Sequence, residues 1–96
     1  MSKHNDKKIG EVLKTMLQDK KFGSKIYETK IKKFWSETMG TTINKYTTEI
    51  RLKNNRLFLR IESAPLRQEI SYGKEKLIAV LNKELGEDYI TEIIIR

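Results

Sequence analysis

The apolar positions of this chain follow two periods, and the change from one to the other outlines the fold. Ile9, Val12, Leu13, Met16 and Leu17 keep the i, i+3, i+4, i+7, i+8 spacing of a one-sided helix. This predicts a first helix over about residues 6–20 that fails near Gly23. Ser24 then stands as the N-cap of a second helix, its side-chain oxygen accepting from unpaired backbone N–H groups. In that helix Tyr27, Ile31, Phe34 and Trp35 share one face, the pattern of aromatics in a core. Lys25, Thr29, Lys32 and Ser36 take the opposite face, with Lys33 at its margin. Gly40 is placed to end the helix in a left-handed C-cap.

From Thr47-Thr48 the period becomes two. Thr48, Ile50 and Leu52 alternate with Glu49, Arg51 and Lys53; Leu57, Leu59 and Ile61 alternate with Arg56, Phe58, Arg60 and Glu62. Between them Asn54-Asn55 suits a two-residue type I′ turn, because Asn tolerates positive φ. Counting outward from the turn pairs Leu52 with Leu57, Ile50 with Leu59 and Thr48 with Ile61. The other face pairs Lys53 with Arg56, Arg51 with Phe58 and Glu49 with Arg60. Phe58 is the one large apolar residue that this register leaves among arginines.

Ser63-Ala64-Pro65 ends the hairpin and opens a third helix, with Pro65 in its first turn. Its stripe is Leu66, Ile70, Leu77, Leu81 and Leu85, with Ile78 alongside. Gly73 interrupts the stripe, either allowing a close helix–sheet approach or weakening the helix. Gly86 closes it, and Tyr89–Arg96 forms a final strand whose Ile93, Ile94 and Ile95 predict contact on both faces. The expected class is α+β: helix–helix–strand–strand–helix–strand, with the helices packed on one face of a three-stranded sheet.

The chain has 96 residues, the length of one domain, expected over residues 8–96 after a flexible N-terminus at residues 1–7. There is no cysteine, which excludes disulfides, thiolate nucleophiles and cysteine-bearing zinc sites. The apolar runs fall far short of the roughly 18 residues of a membrane span, and no signal-peptide pattern opens the chain; a cytoplasmic location is expected. Material for catalysis is sparse. The single histidine, His4, lies in the N-terminal tail, and Ser and Thr have no partnered histidine. Glu87-Asp88 sits at a turn, where an acidic pair is ordinarily solvated. No enzyme, metal or cofactor is expected.

Charge changes the picture most. The formal net charge is +7, but it is unevenly spread. Residues 1–40 hold ten basic and five acidic residues, and residues 41–60 hold five basic and one acidic. Residues 61–96 hold five basic and seven acidic. The first sixty residues thus carry +9 and the rest −2, which predicts a polyanion-binding side and leaves the acidic half for a protein partner. The candidate nucleic-acid-binding residues are Lys20, Lys21, Lys25, Lys32 and Lys33 from a loop and a helix face, beside the helix N-terminus at Ser24. To these the hairpin adds Arg51, Arg56 and Arg60 around Phe58, an arrangement able to stack a base and hold its phosphates. Phe58 has other readings: a cation–π partner for Arg51, or a residue covered by the chain's own termini.

With these residues laid out, the chain resembles the DciA family of bacterial replicative-helicase operators. The features are Trp35 followed five residues later by Gly40, the Thr47-Thr48 strand start, and the turn before Leu57-x-Leu59-x-Ile61. Ser63, Leu66, Glu69-Ile70, Leu77, Leu81-Asn82 and Ile90-x-x-Ile93 complete the set over roughly residues 8–96. The resemblance implies a KH-like fold that binds DNA, single-stranded or forked forms favoured, and a replicative DNA helicase as partner. Trp35 and Gly40 carry over as fold markers, not contacts. The family's flexible helicase-contacting extension has no counterpart before residue 96, and no Gly-x-x-Gly loop supplies the usual KH backbone clamp. The expected function is therefore a non-enzymatic nucleic-acid-binding protein that assists the helicase. The alternatives are an RNA-binding module in translation or ribosome maturation, and a protein-interaction adaptor with a basic docking face.

Overall fold

The computed structural model describes residues 20–96. The predicted tail at 1–7 and the first helix, apart from its last residue, lie outside the described residues. The elements are α1 (Lys20–Thr38), α2 (Thr41–Tyr46), β1 (Thr47–Lys53), β2 (Arg56–Ile61), α3 (Ala64–Tyr72), α4 (Lys74–Leu85) and β3 (Glu92–Ile95). The three strands form one sheet in the order β1-β2-β3, with β1 antiparallel and β3 parallel to β2.

The helix does not break at Gly23, and Ser24 is not an N-cap. Instead α1 runs unbroken through both residues, because this segment grips the edge of the sheet. Ser24 Oγ donates to the Leu52 carbonyl at 2.6 Å, and Glu28 Oε2 accepts from the Leu52 N–H at 3.1 Å. Both backbone groups point out of the ladder, since Leu52 lies on the edge strand beside the turn. Two hydrogen bonds worth about 1 kcal/mol each offset the roughly 1 kcal/mol that glycine costs within a helix. The aromatic face is as expected: Tyr27, Ile31 and Trp35 are buried and Phe34 half-buried. The Trp35 indole N–H donates to Thr47 Oγ1 at 3.0 Å, and that hydroxyl donates to the Ile43 carbonyl at 2.6 Å. Thr47 thereby ties the start of β1 to α1 and α2.

This tie shifts the hairpin's far end. Thr47, not Thr48, stands opposite Ile61, and the register slips between Thr47 and Glu49. With Thr47 held inward by Trp35, the extra residue is Thr48, which is exposed. The remaining five expected pairs are observed, from Glu49–Arg60 to Lys53–Arg56. Asn54 and Asn55 adopt φ of 52° and 65°, as a type I′ turn requires. Gly40 has the expected positive φ of 89°, but its ψ of 162° is extended. It is therefore not a left-handed C-cap; it turns the chain into α2, a helix that the β-branched run Thr41-Thr42-Ile43 does not announce.

The expected single third helix is two helices. Ser63 caps α3, with Pro65 in its first turn, but at Gly73 the backbone leaves helical geometry (φ −109°, ψ 20°) before α4 begins. A Cβ on Gly73 would meet nothing closer than the Ile70 carbonyl oxygen at 3.9 Å. The glycine therefore serves the bend rather than a close approach. Gly86 ends α4 in left-handed geometry, φ 82° and ψ 10°. The buried Asn82 side chain then clamps the backbone of Ile90, donating to its carbonyl at 3.0 Å and accepting from its N–H at 2.8 Å. Pairing starts only at Glu92, so β3 is shorter than the expected 89–96.

The core lies between the helices and one face of the sheet. Leu52, Leu57, Leu59, Ile61 and Ile93 enclose it with Trp35, Ile31, Ile70, Leu81 and Leu85. Of the three consecutive isoleucines only Ile93 is fully buried, while Ile94 and Ile95 are half-buried. Tyr27 closes one end of the core. Its hydroxyl donates to Glu87 Oε2 at 2.7 Å, and burial, then the carboxylate, push the phenol up to about 12. No helix among the described residues is long and apolar enough to cross a membrane.

Candidate nucleic-acid interface

The sheet face turned away from the helices is built by strand alternation. Burying Leu52, Leu57, Leu59 and Ile93 sends Arg51, Lys53, Arg56, Phe58, Arg60, Glu92 and Ile94 to the other side. The positive φ of both turn asparagines fixes the hairpin register, so Phe58 lies directly across from Arg51. The parallel ladder then brings Ile94 beside Phe58. One step further, the Arg96 N–H donates to the Leu59 carbonyl and the Ile61 N–H donates to the Arg96 carbonyl, both at 2.9 Å. These two bonds bracket Arg60 and set Arg96 next to it.

A cleft of about 240 Å³ opens here, lined by Glu49, Arg51, Lys53, Phe58, Leu59, Arg60 and Arg96. The half-buried Phe58 ring forms part of it, and the Arg96 guanidinium lies 5.9 Å from the ring centroid. The cation over Phe58 is thus Arg96 rather than Arg51, and the ring is partly covered by the C-terminal segment, as the second of its alternative readings has it. Arg51 Nε pairs with Glu49 Oε1 at 3.1 Å, and Arg60 Nε with Glu62 Oε1 at 3.3 Å. Both arginine side chains remain well exposed, so each pair contributes at most about 1 kcal/mol. Four cations crowd one cleft, with Glu49 in its lining and Glu62 paired to Arg60 from outside it. Like charges brought together on one sheet face repel, and an anion in the cleft relieves that repulsion.

Of the candidate residues, the cleft gathers Arg51, Phe58 and Arg60. Arg56 is on the same face, exposed, at the turn end beside Lys53 and Glu92, outside the cleft lining. Lys25, Lys32 and Lys33 are exposed on α1 and line no part of the cleft. Lys32 Nζ instead pairs with Glu28 Oε1 at 3.2 Å. Lys20 and Lys21 belong to α1 rather than to a loop, and no helix N-terminus stands at Ser24 to add its N–H groups; their side chains lie outside the described residues. Two cleft cations escape the sequence reading. Lys53 already falls on this face by alternation, a signal available but unused. Arg96 needs the β2–β3 register, which alternation within one strand does not supply. Glu87, read as solvated, is exposed but bonds to Tyr27.

A family model described as "Dna[CI] antecedent, DciA" matches residues 8–95. No curated protein and no solved structure matches the chain.

Proposed function

The chain belongs to the DciA family, whose role is linked to the replicative helicase, and on that premise we propose a non-enzymatic nucleic-acid-binding protein that assists that helicase in the cytoplasm. The observation that carries the nucleic-acid half is the sheet face turned away from the described helices, where four cations flank a half-exposed aromatic ring. Phosphates of a single-stranded or forked DNA dock on Arg51, Lys53, Arg60 and Arg96, with Arg56 extending the track toward the turn. The lysines of α1 (Lys25, Lys32 and Lys33, with Lys20 and Lys21 before them) add a positive field that speeds encounter without forming the seat. Binding through four phosphates gives a slope of log affinity against log salt near about −2.8 for single strands. A salt titration with labelled single-stranded, forked and RNA oligonucleotides tests this. A steep slope on DNA supports the reading; a steep slope on RNA alone moves it to the RNA alternative, and no binding at low salt ends it.

The adaptor alternative has an observation of its own. Tyr72 is 81% exposed and Val80 47% exposed, and a shallow apolar groove runs between Phe34, Met39, Leu77 and Val80. Capture of the helicase by this chain after nuclease treatment, undiminished when the cleft arginines are neutralised, favours a protein contact on this second side.

A further inference from the structure

The cleft differs from an ordinary basic patch in having an aromatic ring inside it. At about 240 Å³ it is smaller than the roughly 300–1,000 Å³ of pockets that enclose drug-sized ligands. Its volume suits one flat ring with a charged attachment. A purely electrostatic track needs no such ring, because phosphates gain nothing from an apolar surface. Nor does the core need it: the buried face is complete with Leu57 and Leu59 on either side of Phe58. Phe58 is therefore the residue neither stability nor charge explains.

Arg96 makes the geometry specific. Its backbone is fastened on both sides by the 2.9 Å bonds to Leu59 and Ile61, so its side chain emerges at a fixed place beside Arg60. The guanidinium, 5.9 Å from the Phe58 centroid, is near the roughly 6 Å outer limit of a cation–π contact. Such a contact is weak at an exposed site and yields to a better π-face partner. A nucleobase is that partner, since stacking on an aromatic adds to the pull of a neighbouring guanidinium on its phosphate.

Resting on the nucleic-acid reading above, we infer that the cleft seats a single unpaired nucleotide, its base stacked on Phe58 and its phosphate held by Arg96, with Arg60 on the next phosphate of the strand. Arg96 is then a binding residue that displaces from the ring as the base enters. A paired base is excluded, because both of its faces are covered by its neighbours in the stack. The shared chemistry, a base carrying a phosphate, occurs both in a polymer and in a free nucleotide, and the seat is assigned to the polymer.

The test compares fluorescence anisotropy of labelled oligo-dT with an abasic strand of equal phosphate number. The wild-type chain should bind oligo-dT roughly ten- to hundredfold more tightly. Phe58→Ala should erase that difference by weakening oligo-dT binding, and Phe58→Tyr should restore it. Arg96→Gln should weaken both strands, oligo-dT more. Millimolar thymidine monophosphate should leave the oligo-dT complex intact. Equal binding of the two strands, or an unchanged preference in Phe58→Ala, overturns the seat while leaving electrostatic docking standing. Displacement by the monophosphate overturns its assignment to the polymer. Failure of both strands to bind overturns the nucleic-acid reading itself. Cooperative thermal unfolding retained by each variant, with its midpoint well above the assay temperature, confirms that these effects arise in the cleft.

Discussion

Leu57 and Phe58 are neighbours on β2, yet they face opposite surroundings. Leu57 lies under the helices with Leu52, Ile93 and Trp35, fully buried. Phe58 looks out among Arg51, Arg60 and Arg96 on a face that, among the described residues, no helix covers. The inner face is explained by the hydrophobic effect alone, since every position on it removes apolar surface from water. The outer face is not: its charges repel one another and its one ring is half-exposed. A sheet with one packed and one open side thus separates the residues that make the fold from those available for binding.

The comparison breaks most visibly by truncating each neighbour. Leu57→Ala should cost about 2–5 kcal/mol of stability by denaturant midpoint, whereas Phe58→Ala should cost about 1 kcal/mol or less. Equal losses would make Phe58 a core residue and remove the distinction. The next effect belongs to the inner region alone. The Tyr27 phenol is pushed up to about 12 in the fold from 10.0. Its contribution is therefore complete below about pH 10 and lost as pH rises through 12. At most about 2.7 kcal/mol disappears across that window, and Tyr27→Phe should flatten it in pH-dependent denaturation. Ser24→Ala, which opens one of the two bonds from α1 to the β1 edge, should cost about 1 kcal/mol without altering binding at the outer face. Smallest is the effect of single charges. Arg60→Gln should reduce the salt slope by about 0.7, one phosphate, while the double variant Lys32→Glu and Lys33→Glu should slow association and leave the slope nearly intact.

Much of this division was readable from alternation and spacing. The register from Lys53–Arg56 to Glu49–Arg60 follows from Asn54-Asn55 and period two, and it already isolates Phe58 with Arg51 and Arg60. The aromatic face of α1, the Ser63 cap and the Gly86 terminus are equally local, each set by a few neighbouring residues. What could not be read depends on contacts distant in sequence. Gly23-Ser24 looks like a helix boundary until Leu52 offers its outward backbone groups, and Thr48 looks paired until Trp35 claims Thr47. At Gly73 two local readings competed, and the bend prevailed. Arg96 joins the cleft only through a parallel ladder joining segments more than thirty residues apart. The α1 lysines show the converse: a net charge summed along the chain says nothing about which cations share a surface.

An amide chemical-shift titration of the isotope-labelled chain with a short single-stranded oligonucleotide tests the central claim most directly, because it reports both faces and α1 in one experiment. The account predicts the largest changes at Glu49, Arg51, Phe58, Arg60 and Arg96, with Lys25, Lys32 and Lys33 little affected. Changes confined to α1, with the open sheet face silent at saturation, would contradict it.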